Sequence, residues 1–248
     1  MNIDELKKIL LEYEKPSEFF ENTKPDDTFL ELKQLIGVPQ NENYHKEGDV
    51  WIHTMLVLDE SAKRRGIVRN PFGFMLSALC HDFGKAVCTE KINGVIHAYN
   101  HEKEGLPLVR TFLERLSADT DLMKYVLNMV EFHMMPNIMA HAKSKTKSTN
   151  KLFDSVVEPF DLIQLAVCDG LGKIPQDNST EEFLLMRFAR YTEIMSQPYV
   201  TADDLINAGI SDRTDEILQY SHKLRLAGVD KENTLRQSIS YARKVLKI

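Results

Sequence analysis

The chain has three cysteines in 248 residues, Cys80, Cys88 and Cys168, which make no even disulfide framework and read as reduced thiols. It has no apolar run near the roughly 18 residues that a membrane span requires. Residues 1–11 are too polar for a secretory signal, and no cleavage pattern follows them, so a cytoplasmic protein with no membrane partner is expected. There is no excess of positive charge either. The formal net charge is −6, which gives no whole-molecule reason to expect nucleic-acid binding and leaves only a local basic patch open. Internal repeats, low-complexity tracts and a series of strand signals are all missing.

What is present is helical periodicity. Apolar spacing predicts helices over about 2–14, 49–65, 71–80, 121–133, 160–169, 181–196, 201–207, 213–226 and 232–246, another that starts at His101 with Gly105, Leu108 and Phe112 on its stripe, and a shorter segment at 28–36. Ser17, Asp49 and Asn100 are placed to cap helices, and Gly84 and Pro136 to stop them. Pro107 should kink its helix or delay its start. Residues 141–151 read as a loop or a helix start. Asn93-Gly94 between short apolar pairs is the one hairpin signal. The expected fold class is all-α.

The chemistry is concentrated at helix ends and on inward stripes. Leu79-Cys80-His81-Asp82-Phe83-Gly84-Lys85 puts an imidazole and a carboxylate side by side where a helix ends and the backbone can turn both toward one ion. His53 shares a stripe with Val50 and Val57; Asp169 aligns with Leu162 and Leu165. His101 opens one helix and His133 closes another. An ionised Asp among apolar neighbours is costly unless paired or metal-bound. Helical bundles build metal sites from such inward side chains. His53, His81, Asp82 and Asp169 suffice for one divalent ion, which would polarise a phosphoryl or carbonyl oxygen and acidify a bound water. His101 and His133 supply either a second ion or donors to a substrate phosphate. Lys85 reads as a phosphate contact or as an exposed lysine after a helix stop. Cys80 and Cys168 each precede a candidate ligand, which raises a thiolate-ligand idea against the plainer reading of small buried side chains.

His53, His81-Asp82 and Asp169 resemble the pattern of HD-domain metal-dependent phosphohydrolases. The stretches Pro16-Ser17-Glu18-Phe19-Phe20, Gly37-Val38-Pro39-Gln40 and His45-Lys46-Glu47-Gly48-Asp49-Val50-Trp51-Ile52-His53-Thr54 are similar to the entry into the HD domain of bacterial CCA-adding tRNA nucleotidyltransferases of the multifunctional type. So are Asn100-His101-Glu102-Lys103-Glu104-Gly105, Glu131-Phe132-His133, Lys151-Leu152-Phe153-Asp154-Ser155 and the later segment 200–209. The resemblance spans about residues 16–245. It implies an HD-domain helical bundle over 41–196, preceded by a helical lead-in over 1–40 and followed by a small helical tail over 197–248.

The nucleotidyltransferase head of that family has no counterpart here, so CCA addition by that route is not expected. The activity implied is hydrolysis of 2′,3′-cyclic phosphodiesters, 2′-nucleotides or phosphomonoesters on nucleotides or RNA ends. One or two divalent ions (Mn, Ni, Co, Mg, Fe or Zn) would serve it, with Asp82, Lys85, His101 and His133 as catalytic residues. From Tyr220 to Ile248, seven Lys or Arg against two acids leave a local charge of +5, and Lys143, Lys145, Lys147 and Lys151 add to it. This is either a tRNA contact or a solvated face. Two rivals stand beside hydrolysis: a non-catalytic RNA-binding module or partner of a separate head, and a di-iron HD-fold oxygenase.

Overall fold

A computed structural model describes residues 1–23 and 27–246. Residues 24–26 of the expected lead-in, and Lys247 of the basic tail, lie outside the described residues. In chain order the elements are α1 (Ile3–Glu12), α2 (Ser17–Thr23), a 3-10 turn (Asp27–Phe29), α3 (Leu30–Lys33), α4 (Val50–Arg64), α5 (Pro71–Cys80), α6 (Lys85–Cys88), β1 (Glu90–Ile92), β2 (Val95–His97), α7 (His101–Glu104), α8 (Leu106–Arg115), α9 (Thr120–Phe132), α10 (Met134–His141), α11 (Thr146–Ser155), α12 (Pro159–Leu171), α13 (Glu181–Ser196), α14 (Ala202–Asn207), α15 (Thr214–Leu226) and α16 (Lys231–Leu246). Among the described residues the sole sheet is the two-stranded β1–β2 hairpin, so the fold is all-α as expected.

Two compact units divide the chain: residues 1–142 with 156–184, and residues 143–155 with 185–248. The first takes in the expected lead-in and most of the expected 41–196 domain. The second joins 143–155 and 185–196 to the expected tail.

In the first unit α4, α5 and α12 pack on one another, with α9 against α5 and α10 against α12. The composition of these helices explains the arrangement. From Gly73 to Cys80 every residue of α5 is buried, and so is every residue of α12 from Asp161 to Gly170. A helix that is apolar all round can only be central. The Asp49 side chain accepts from Ile52 N (2.9 Å) and so starts α4, as predicted, and its other oxygen accepts from Gly37 N (2.7 Å). Asp161 is fully buried. It accepts from Arg69 N, Asn70 N and the Tyr125 hydroxyl (3.0, 3.1 and 2.7 Å), tying the α4–α5 loop to α12 and α9. Each such bond to a charged group contributes about 1.5–3 kcal/mol.

Three local expectations are corrected, and the one for Pro107 is met. Pro136 does not end a helix: it sits buried in the first turn of α10, where a missing N–H costs nothing. Asn100 precedes α7 in the left-handed region (φ 59°) and makes no side-chain cap. Pro107 forces a late start, one of the two expected outcomes: the helix breaks at Gly105 and α8 starts afresh at Leu106 with Pro107 in its first turn. As a result Val109, Phe112 and Leu113 form the buried stripe. Gly84 is not what stops α5, which ends at Cys80. Its φ is −63°, and its role is space: a Cβ there would lie 2.0 Å from the His101 carbonyl oxygen and 2.7 Å from Gly105 N. Glycine at this position lets α7 press against the turn that carries Asp82.

The second unit has its own core of Val200, Leu205, Ile210, Ile217 and Ala242, flanked by Leu218, Leu235 and Ile239. Thr201 and Asp204 form a capping box on α14, and Tyr220 stacks on Tyr241 at 4.2 Å. The 146–155 helix belongs here: Asn150 Nδ2 donates to Leu226 O (2.8 Å), and His222 pairs with Asp154 (2.8 Å). No helix among the described residues is long and apolar enough to cross a membrane.

Candidate metal centre

Six predicted site residues converge within the first unit. His53, His81, Asp82, His101, His133 and Asp169 are each between 0 and 5% exposed. His53 projects from α4 and Asp169 from the last turns of α12. The other histidines sit at helix ends: His81 closes α5, His133 closes α9 and His101 opens α7.

Their chemistry follows from their backbone contacts. His81 Nδ1 lies 2.8 Å from Ala78 O, His101 Nδ1 2.9 Å from Ala98 O, and His133 Nδ1 2.7 Å from Val130 O. A carbonyl oxygen can only accept, so each Nδ1 carries the proton and donates. In the neutral ring Nε2 is then left as a bare lone pair. Three rings on three helices are thus set in the tautomer that offers Nε2 to a cation.

All of these lone pairs face Asp82. On one side His81 Nε2 lies 3.2 Å from Asp82 Oδ2, His53 Nε2 lies 3.8 Å from it, and His53 Nε2 lies 3.1 Å from Asp169 Oδ1. On the other, Asp82 Oδ1 lies 3.2 Å from His101 Nε2 and 3.9 Å from His133 Nε2. Three groups, His53/His81/Asp82, Asp82/His101/His133 and His45/Glu47/His53, each hold their ligand atoms within 4.8 Å of one another, and the first two share Asp82.

The donor set fits a cation. His81 Nε2 is buried without a hydrogen bond, and Asp82 Oδ2, likewise without one, is met by the Lys85 ammonium. His101 Nε2 and His133 Nε2 face each other at 3.2 Å with both Nδ1 positions already donating, so two lone pairs meet unless a proton or metal ion lies between them. Imidazole nitrogen with carboxylate oxygen is the donor combination of a divalent transition ion.

The charges match this reading. Burial opposes ionisation of Asp82, but His81, Lys85 and His101 outweigh it and hold the carboxyl well below its usual range. Asp169 behaves alike, with Lys173 and His53 overcoming its burial. Burial also opposes protonation of His53 and His101, yet Asp169 and Glu47 beside the first, and Asp82 beside the second, leave both pKa values raised. At His133 burial prevails, helped by His101 and His81, and the pKa falls to about 3.

Lys85 is not an exposed lysine. Its Nζ lies 2.7 Å from Asp82 Oδ2 and donates to Gln40 Oε1 at 2.9 Å. Cys80 and Cys168 are buried with their thiols pushed up, Cys168 to about 12, and neither belongs to the ligand groups, which removes the thiolate idea.

Three residues escape the sequence analysis. Glu47 Oε1 lies 3.0 Å from His53 Nδ1 and 2.6 Å from His45 Nδ1, and Oε2 accepts from Ile174 N at 2.9 Å. Burial would raise this carboxyl, but His53, the Ile174 N–H and His45 hold it at about 2. Beside it, burial, Lys85 and His53 bring His45 down to about 4. Lys173 Nζ stands 3.6 Å from Asp169 Oδ1. Glu47 and His45 sit in a polar loop with no periodicity, and only the string 45–54 pointed to them.

No protein-family model matches the chain. Among curated proteins it is 33% identical over 184 residues to the multifunctional CCA protein of Dechloromonas aromatica (strain RCB), covering 70% of this chain and 42% of that one. It is 29% identical over 214 residues to the protein of the same name from Laribacter hongkongensis (strain HLHK9), covering 83% and 49%. With that from Actinobacillus pleuropneumoniae serotype 7 (strain AP76) it shares 34% over 118 residues, covering 48% and 28%. The chain spans half the length of these relatives or less.

Proposed function

Starting from the closeness of this chain to the multifunctional CCA proteins, we propose that it is a metal-dependent phosphohydrolase acting on nucleotide or RNA-end phosphoesters. One observation carries the reading: two histidine groups, three of their rings set in the ligating tautomer, meet on the two oxygens of one buried carboxylate, Asp82.

His53, His81, Asp82 and Asp169 would hold one divalent ion, and Asp82, His101 and His133 a second. Such an ion supplies Lewis acidity toward a phosphoryl oxygen and lowers the pKa of water. The chain supplies the rest. Asp82 is common to both groups and fixes their spacing. Ala78, Ala98 and Val130 carbonyls lock the imidazoles, and Glu47 holds His53. Lys85 and Lys173 place positive charge beside the carboxylates, where it can oppose the negative charge that builds on phosphoryl oxygens. Burial of the ligands strengthens each of these interactions by excluding water.

RNA contact is proposed for the second unit. It carries 14 Lys and Arg against nine Asp and Glu, a net +5, while the first carries 17 against 28, a net −11. The second unit also holds a cavity of about 430 Å³ lined by Tyr199, His222, Arg225 and Lys231, with the Arg225 guanidinium 4.8 Å over the Tyr199 ring.

The test is hydrolysis of 2′,3′-cyclic AMP, 2′-AMP, 3′-AMP and an aryl phosphate by stripped protein with Mn, Ni, Co or Mg restored. Turnover of the cyclic or 2′-phosphates that returns with metal supports the reading. No turnover with metal bound at the site refutes it.

A further inference from the structure

Next to the metal centre the first unit holds a cavity of about 260 Å³. Its lining combines two kinds of side chain. Lys85 and His101 are among them, and both touch Asp82, at 2.7 and 3.2 Å. Tyr44 and Tyr99 line it as well. Tyr44 and Tyr99 are 69% and 61% exposed, and Tyr99 is braced by stacking on His97 at 4.9 Å and 17°. None of the described lining residues is itself an acid, although Asp82 stands behind Lys85 and His101 and Glu47 behind His45.

We propose that this cavity is a nucleoside-binding subsite: the phosphate lies toward Lys85 and His101, and the base stacks on Tyr44 and Tyr99. The phosphate half rests on the hydrolytic reading above; the base half does not. Aromatic stacking tolerates every base, because each has a π-face. The subsite therefore takes nucleosides broadly and discriminates against phosphates that have no base. The hairpin β1–β2 gains a purpose from this: it carries Ile96 and His97 to the rim and leads directly into Tyr99.

The experiment is equilibrium binding to the full chain, metal-free, of 2′-AMP, adenosine and ribose 5-phosphate, with Tyr44→Ala, Tyr99→Ala and Tyr99→Phe variants. A matching circular-dichroism melt is recorded for each. The expected result is that 2′-AMP binds at least about tenfold tighter than ribose 5-phosphate and that this ratio falls about tenfold in each alanine variant, while Tyr99→Phe keeps it within about twofold. Adenosine should bind wild type and weaken in the same two variants. Equal affinity for 2′-AMP and ribose 5-phosphate in wild type, or an unchanged ratio in both alanine variants, overturns the proposal. Should hydrolysis fail with every metal while the ratio behaves as expected, the subsite stands and the phosphohydrolase reading falls. A second arm compares 2′,3′-cyclic AMP with an oligonucleotide ending in the same cyclic phosphate. Tighter binding of the oligonucleotide assigns the subsite to an RNA 3′ end, and equal binding to a free mononucleotide.

Discussion

Asp82 and His101 meet through Oδ1 and Nε2 at 3.2 Å, which leaves the second carboxylate oxygen turned toward His81. One side chain thereby serves two ligand groups. If both groups hold an ion, removing His101 empties one and spares the other. His101→Ala is expected to lower Mn stoichiometry from two to one, read by metal analysis after gel filtration. A wild type that takes up one ion and keeps it in the variant would show instead that His101 serves substrate.

Glu47 ligates nothing in this reading, yet its carboxylate stands 3.0 Å behind His53. Carboxylates behind a ligating imidazole orient the ring and raise its basicity. Glu47→Gln keeps the shape and removes the charge. Metal affinity should fall about 10- to 100-fold by chelator competition. Unchanged affinity would leave Glu47 a loop anchor for Ile174 only.

The raised pKa values of His53 and His101 set a pH dependence. Both rings must lose a proton before Nε2 can bind metal. Metal uptake should therefore release protons, and affinity should weaken about tenfold per pH unit for each proton displaced as pH falls below those values. Mn titration calorimetry in two buffers of different ionisation enthalpy reads the proton count; equal heats would contradict it. In the metal-free fold the sign for stability is opposite. A raised folded pKa contributes stability that is fully present below the unfolded value of 6.5 and is lost as pH rises through the raised values.

The lysines at 143, 145, 147 and 151 share a compact unit with the C-terminal helices. Replacing all four by alanine should weaken tRNA binding and flatten its dependence on salt, by up to about 0.9 in the log–log slope for each phosphate left without its lysine. Binding that is weak and insensitive to salt in wild type would return these lysines to the role of a solvated face.

Much of this was legible in the chain. The apolar run before His81 fixed α5 as buried, and the 3.6-residue spacing located His53 and Asp169 on inward faces. What periodicity lacks is any measure of how distant segments meet. It could not say that His101 and His81 approach opposite oxygens of Asp82, nor that Glu47 lies behind His53. Gly84 shows the limit well. Read locally it is a helix stop; in the fold it is the gap that admits the His101 carbonyl. Pro136 and Asn100 mislead for a related reason, because each has a second backbone role that local sequence does not separate from the first.

The most direct measurement is turnover of 2′,3′-cyclic AMP by metal-stripped protein before and after Mn is restored, in wild type and in Asp82→Asn. Wild type should recover activity with metal, and the variant should remain lower by at least about a hundredfold. Activity that survives chelation, or that Asp82→Asn retains, would contradict a metal-dependent phosphohydrolase built on Asp82.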